Sequence, residues 1–180
     1  FYTLSGNRLT LRPPAAANGN KTHITWEKLP DLPQSELTET HRRLFGFYRI
    51  ESVSRRIVDG ESVPANPYET AFIIYAPSGH MAVHLMRSGR EPYDGTRPTP
   101  QEALMAIRTY GSYFGPFSVH EEEGYLVHHR IGNLSPRRTY TDAQRFYELT
   151  DTHLTLRPPV GTDSQGRPVQ STLRWARISD

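Results

Sequence analysis

Eight histidines, ten tyrosines and a scatter of arginines carry the chemistry available to this 180-residue chain. Their spacing limits that chemistry. His80 and His84 lie four residues apart, which on a helix would set two zinc ligands side by side. Their neighbours read as a strand, where the pair share a face about 13 Å apart. A metal held at about 2.0–2.1 Å from each nitrogen cannot bridge that gap, so they read as two separate polar histidines. His128 and His129 are adjacent on another expected strand and point to opposite faces. One of them can enter an interior, and together they cannot chelate. His129 keeps the apolar company of Val127 and Ile131, whereas His128 shares its face with Leu126 and Arg130; the residues alone leave the choice open.

Met81, Val83, Leu85 and Arg87 alternate along one strand face. Three apolar groups followed by a guanidinium suit a lumen with a charged mouth, where arginine can clamp a carboxylate or carbonyl. A core face ending in a solvated arginine has the same pattern. Arg145 could play the same part from the opposite side. Tyr48, Tyr75, Tyr110, Tyr113 and Tyr125 fall in or beside expected elements and would supply apolar area tipped with a hydroxyl, although strands use tyrosine in any case. Glu121-Glu122-Glu123 sits in a hairpin turn, where consecutive carboxylates splay into solvent.

Several functions are excluded. The chain has no cysteine, hence no disulfide framework, thiolate metal site or cysteine nucleophile. It has no Gly-x-Ser-x-Gly, no phosphate-binding loop and no dinucleotide fingerprint. No cofactor or metal is expected. Net charge is +2, with basic residues scattered among acids and no basic block, so nucleic acid is not an expected partner. No run approaches the roughly 18 apolar residues of a membrane span, and no membrane partner is expected. The compartment stays open, with the cytoplasm as the default. Protonating all eight histidines would carry the formal charge to +10 near pH 6.5.

These residues need elements to position them. Thirteen glycines and fifteen prolines break the chain too often for a long helical bundle. Leu44–Val53 alternates as a half-buried strand, with Tyr48, Ile50 and Ser52 on one face. Asp59-Gly60 and Ala65-Asn66-Pro67 mark turns. Ala71–Tyr75 and His80–Arg87 flank a Pro77-Ser78-Gly79 hairpin turn. Thr99-Pro100-Gln101-Glu102 opens a helix with an N-cap, a proline at its first position and a capping box; Ala103, Ile107 and Tyr110 form its apolar stripe and Gly111 can end it. Phe117–His120 and Tyr125–Ile131 make a further hairpin, followed by strands near Ala143–Leu149, Leu154–Arg157 and Thr172–Ile178. Eight or nine short strands with one helix near residues 100–110 fit an all-β, antiparallel up-and-down barrel, whose closure removes exposed edges.

An internal repeat divides the chain. Residues 1–14, FYTLSGNRLTLRPP, align with 146–159, FYELTDTHLTLRPP, with nine of fourteen positions identical at an offset of 145. After a loop of different length, Thr22–Leu29 matches Ser171–Ile178, tryptophan on tryptophan. An offset of this size is a domain length. The expected organisation is a tandem: residues 1–29 as the closing hairpin of a preceding, truncated copy, 30–40 as a proline-punctuated linker, and 41–180 as a complete barrel. A single barrel with an extra hairpin is the alternative. Because the chain opens with Phe1 rather than Met, upstream sequence is expected to have been processed, trimmed or left out. A stray hairpin is too small to fold alone, so residues 1–29 are expected to pack on the barrel, on a missing first domain or on another protomer.

Residues 41–180 also resemble the lipocalin-like domain of microbial proteins. The resemblance runs through Gly46-x-Tyr48, Phe72–Arg87, Tyr113–Val119, Val127-His128-His129, Gln144–Leu149 and Leu154-Thr155-Leu156. Its opening Gly-x-Trp is Gly46-Phe47-Tyr48 here, a departure. The resemblance implies a small barrel with a ligand-sized lumen and makes His128 the more characteristic of the two histidines. Some lipocalin-like barrels of natural-product pathways are cyclases or isomerases. The expected ligand-binding set is therefore Tyr48, Tyr75, Met81, Val83, Leu85, Arg87, Tyr113, Phe117, His128 and Arg145, with no catalytic residue assigned. The expected partner is a small apolar or aromatic molecule. A carrier barrel, a cofactor-independent cyclase or isomerase of secondary metabolism, and a barrel plugged by its own side chains are the functions to separate.

Overall fold

The computed structural model describes residues 1–65 and 68–179, so the turn expected at Ala65-Asn66-Pro67 lies partly outside them. The chain divides into two compact units, residues 1–32 and 33–180.

The first unit is an antiparallel sheet of β1 (Tyr2–Ser5), β2 (Arg8–Leu11) and β3 (Ile24–Glu27), in that order. Thr10 and Thr25 meet across it at 3.0 Å, and the Asn7 amide donates to Glu27 at 2.8 Å.

In the second unit a 3-10 turn, Gln34–Glu36, precedes α1 (Glu39–Leu44), which runs from the end of the stretch expected as linker into the barrel segment. Thr38 caps it by accepting the His41 N–H, while the His41 ring bonds back to the Thr38 backbone. Strands β4 (Gly46–Ile57) and β5 (Ser62–Val63) follow, then the hairpin of β6 (Thr70–Tyr75) and β7 (His80–Met86). Next comes α2 (Pro100–Arg108), with the reciprocal Thr99–Glu102 bonds of a capping box. Strands β8 (Tyr110–His120), β9 (Tyr125–Arg130), β10 (Gly132–Asn133), β11 (Thr141–Leu149), β12 (His153–Arg157), β13 (Gly161–Thr162) and β14 (Pro168–Ser179) complete the chain.

Eight of these strands, β4, β6, β7, β8, β9, β11, β12 and β14, each pair antiparallel with the next, and β14 returns to β4. The result is the closed antiparallel barrel that the turn spacing predicts. Closure leaves none of the eight with a bare edge. Leu44, Tyr48, Ile73, Tyr75, Met81, Phe117, Leu126 and Leu154 pack inside, each such side chain stabilising the fold by roughly 1.5–3 kcal/mol.

Three local expectations are corrected. Ser52 does not share the inner face with Tyr48 and Ile50. The pairing to β14 steps between Arg174↔Ser52 and Trp175↔Ile50. This bulge inserts one residue and turns Val53 and Arg55 inward instead. The helix ends at Thr109 rather than Gly111, because Tyr110 and Gly111 already pair with Met86 and Leu85 of β7. Its apolar residues do not form a buried stripe: α2 buries none of its side chains.

Gly115 has a packing reason. A Cβ there would lie 1.9 Å from the His129 carbonyl oxygen. Only glycine lets β8 and β9 approach this closely, just where β8 passes from pairing with β10 to pairing with β9.

Candidate functional site

The barrel has one stoppered end and one open end. At the first, α1 lies across the strands with His41 and Leu44 buried. The His41 ring sits 5.7 Å from that of Phe117, and the Tyr48 hydroxyl donates to the Leu44 carbonyl at 2.9 Å. Glu121, from the turn after β8, accepts the Thr40 N–H at 2.9 Å. Hydrogen bonds from Thr38 and Thr40 hold its carboxyl down at about 2. Arg177 covers the Tyr48 ring at 4.7 Å and donates to the Phe45 carbonyl at 2.6 Å. Tyr48 therefore occupies the second aromatic place of Gly46-x-Tyr48 as part of the stopper.

Toward the other end the interior opens into a cavity of about 550 Å³. Val53, Ile73, Val83, Leu85, Leu156 and Leu173 give it an apolar wall, and Ile107 of α2 and Leu134 stand at its rim. Its charged groups are all of one sign. Arg55, Arg87, Arg108, Arg130, Arg138 and Arg145 line it, and among the described residues no aspartate or glutamate does. Among the described residues, two buried donors have no hydrogen-bond partner, Arg87 Nη1 and Trp175 Nε1. Both residues line this cavity.

Between cavity and stopper lies a hydrogen-bonded triad. His128 is wholly buried, with Nε2 2.7 Å from the Tyr75 hydroxyl and Nδ1 2.9 Å from the Tyr113 hydroxyl. Burial, reinforced by the charges of Arg145 and Arg130, pushes the imidazole well below its usual range. His128 is therefore neutral, with one ring nitrogen donating and the other accepting. Tyr75 is also fully buried and has no other hydrogen-bond partner among the described residues, so its proton must go to Nε2. Nδ1–H then donates to the Tyr113 hydroxyl, which Arg145 also engages, and Tyr113 lines the cavity. Burial raises the Tyr75 and Tyr113 phenols, while the Arg145 guanidinium works the other way at both.

The expected ligand-binding residues thus fall into two layers. Val83, Leu85, Arg87, Tyr113 and Arg145 line the cavity. Tyr48, Tyr75, Met81, Phe117 and His128 lie in the packed interior instead, with Tyr75 and His128 reaching the cavity through Tyr113. His129, on the outer face, bonds Asp142 at 2.9 Å and Ser118 at 3.0 Å. His80 and His84 are likewise separate: His80 bonds the Ser78 carbonyl and His84 the Tyr110 hydroxyl.

Several lining residues escape the sequence reading, Trp175, Arg130, Arg55 and Arg138 among them. Trp175 is marked by the repeat, and Arg130 stands two residues from His128 on the same face, so both had a signal. Arg55 is hidden by the bulge, and Arg138 lies in a short 3-10 turn, Pro136–Arg138, with no periodicity to reveal it. Among the described residues, no group of three or more histidine or acidic side chains could hold a metal ion. No helix among them is long and apolar enough to cross a membrane.

The family model of the lipocalin-like domain matches residues 45–178. No curated protein matches the chain.

Proposed function

From the premise that the chain belongs to the lipocalin-like domain family, we propose that its barrel holds a small, largely apolar molecule in the lumen. The observation that carries this reading is the 550 Å³ cavity walled by valine, isoleucine and leucine side chains from β4, β6, β7, β12 and β14. Its size lies within the roughly 300–1,000 Å³ typical of small-molecule sites, and it argues against a barrel plugged by its own side chains. The test is a titration with N-phenyl-1-naphthylamine, a neutral apolar dye. The chain is expected to bind one equivalent, and Leu85→Trp, which fills the lumen, to weaken binding by about tenfold or more while the barrel still unfolds cooperatively. Dye binding indifferent to Leu85→Trp would place the dye elsewhere and remove the reading.

One observation favours a second reading, a cofactor-independent cyclase or isomerase using the same lumen. Tyr113 lines the cavity, and its hydroxyl is backed by His128 and Tyr75. A phenol so placed can donate a hydrogen bond to a carbonyl or epoxide oxygen and polarise it while keeping its proton, with the imidazole behind it holding the hydroxyl in place. Turnover of a bound unsaturated ketone or epoxide, lost in Tyr113→Phe while binding persists, supports this reading. Recovery of every bound compound unchanged opposes it.

Residues 1–29 are proposed to be the closing strands of a preceding lipocalin-like copy. The support is register. Leu4↔Leu9, Thr3↔Thr10 and Tyr2↔Leu11 pair as Leu149↔Leu154, Glu148↔Thr155 and Tyr147↔Leu156 do. Leu9↔Trp26 likewise matches Leu154↔Trp175. The coding sequence upstream of Phe1 tests this. An in-frame counterpart of β4 to β9 supports the tandem, and unrelated sequence there removes it.

A further inference from the structure

We propose that the lumen is selective for an organic anion, a molecule with an apolar body and a carboxylate that Arg87 takes at the cavity wall. The inference rests on the reading of the lumen as a binding site and names the class of ligand.

Charge is distributed unevenly in this barrel. The arginine–carboxylate pairs among the described residues are Arg43–Asp151, Arg157–Glu148, Arg167–Asp163 and Arg174–Glu51, and none of these eight residues lines the cavity. None of the six arginines that do line it is in an ion pair. Burial and the like charges of Arg145 and Arg138 push Arg130 down from its usual value. Arg130 and Arg145 recover part of the cost by donating to backbone carbonyls of Thr141, Asp142 and Gln144. Arg87 recovers less. Its guanidinium lies 5.5 Å from the centre of the Tyr68 ring, and its Nη1 is buried without a partner.

An unpaired guanidinium nitrogen in an apolar cavity is costly unless something completes it. Water at an open mouth would complete an exposed nitrogen, but this one is shielded from solvent. Trp175, whose side chain lines the same cavity, holds a second buried donor with no acceptor among the described residues. Two orphan donors, several positive charges and no negative one are what an acceptor-bearing anion would satisfy. Arginine suits a carboxylate in particular, since its parallel N–H groups match both oxygens. The apolar wall of Val83, Leu85 and Leu173 then takes the body of the molecule.

Two dyes with the same aromatic skeleton test this. 8-Anilinonaphthalene-1-sulfonate is anionic, and N-phenyl-1-naphthylamine lacks the charge. The full chain is expected to bind the anionic dye about tenfold more tightly at low salt. Arg87→Met should bring the two to parity by weakening the anion alone, and Trp175→Phe should weaken the anion by a smaller factor. Octanoate should displace the anionic dye and octanol should not, a comparison that needs no variant. Equal binding of the two dyes overturns anion selectivity and leaves the lumen reading intact. Displacement by octanol as effective as by octanoate does the same, and an anion preference that survives Arg87→Met in a folded protein overturns the assignment of the carboxylate to Arg87. If neither dye binds, the lumen reading and the selectivity fall together.

Discussion

Protonating His128 would put a cation between two phenols in an interior that already holds Arg145 and Arg130 nearby. The folded state therefore refuses a proton that the unfolded chain accepts near pH 6.5. The sign follows: stability is level above that value and falls as pH drops below it, until the folded imidazole is itself protonated. His41, lowered mainly by burial, acts in the same direction. Between pH 6.5 and pH 5, denaturant unfolding should show a loss of up to about 1.4 kcal/mol per pH unit for each such histidine. His128→Gln should flatten this profile even though it lowers stability at pH 7; an unchanged slope would refute the assignment. Which of His128 and His129 faces inward was not legible from their neighbours. Val127 and Ile131 make the better apolar face, yet the triad is built on the polar one, because Tyr75 and Tyr113 arrive from β6 and β8 to satisfy both ring nitrogens. Period-two patterning counts apolar neighbours along one strand. It does not see partners from other strands.

At the scale of elements, capping and turn chemistry were the most legible features. Thr99, Pro100 and Glu102 announce α2 through local bonds that any context would preserve. The Met81-Val83-Leu85-Arg87 alternation puts the lumen face of β7 on the page for the same reason: it is local. Two features fail this condition. Helix α1 is a polar six-residue turn of chain whose apolar burial amounts to Leu44, so it has no periodicity to detect. It holds its place through Thr40 N–H on Glu121, 81 residues away. The β4 bulge likewise depends on the register of β14, and without it Arg55 reads as outward. Glu121 gives the element-scale prediction. Its carboxyl is depressed to about 2, so the support it lends α1 is complete above the unfolded value near 4.3–4.5 and is lost as pH falls through about 2. The group is exposed, so Glu121→Gln should cost little global stability. It should speed hydrogen exchange selectively at the Thr40 amide and in the first turn of α1. Uniform exchange rates in the two proteins would show that Glu121 does not hold the helix.

The whole molecule is two units of unequal kind. One is a closed barrel with a stopper, an apolar wall and an arginine-lined opening. The other repeats the register of β11, β12 and β14 without the strands that would complete it. Leu154 and Trp175 are buried in the barrel, while their counterparts Leu9 and Trp26 are partly and largely exposed. A preceding barrel would cover them. A chain expressed without such a domain should remain monomeric if the tandem account holds. Sedimentation as a dimer that Trp26→Glu dissociates would assign the covering surface to a second protomer instead. The repeat itself was legible because its two stretches share their residues and their pairing register position by position. The arginine-rich lumen was legible only at Arg87 and Arg145, since charge gathered from β4, β7, β9 and β11 converges only when the sheet closes.

The account stands most directly on what occupies that lumen. A crystal structure of the full chain grown with 8-anilinonaphthalene-1-sulfonate should show the naphthalene rings against Val83, Leu85 and Leu173, with the sulfonate at the Arg87 guanidinium. Dye bound only outside the barrel, with the lumen filled by water or by rearranged side chains, would contradict the account.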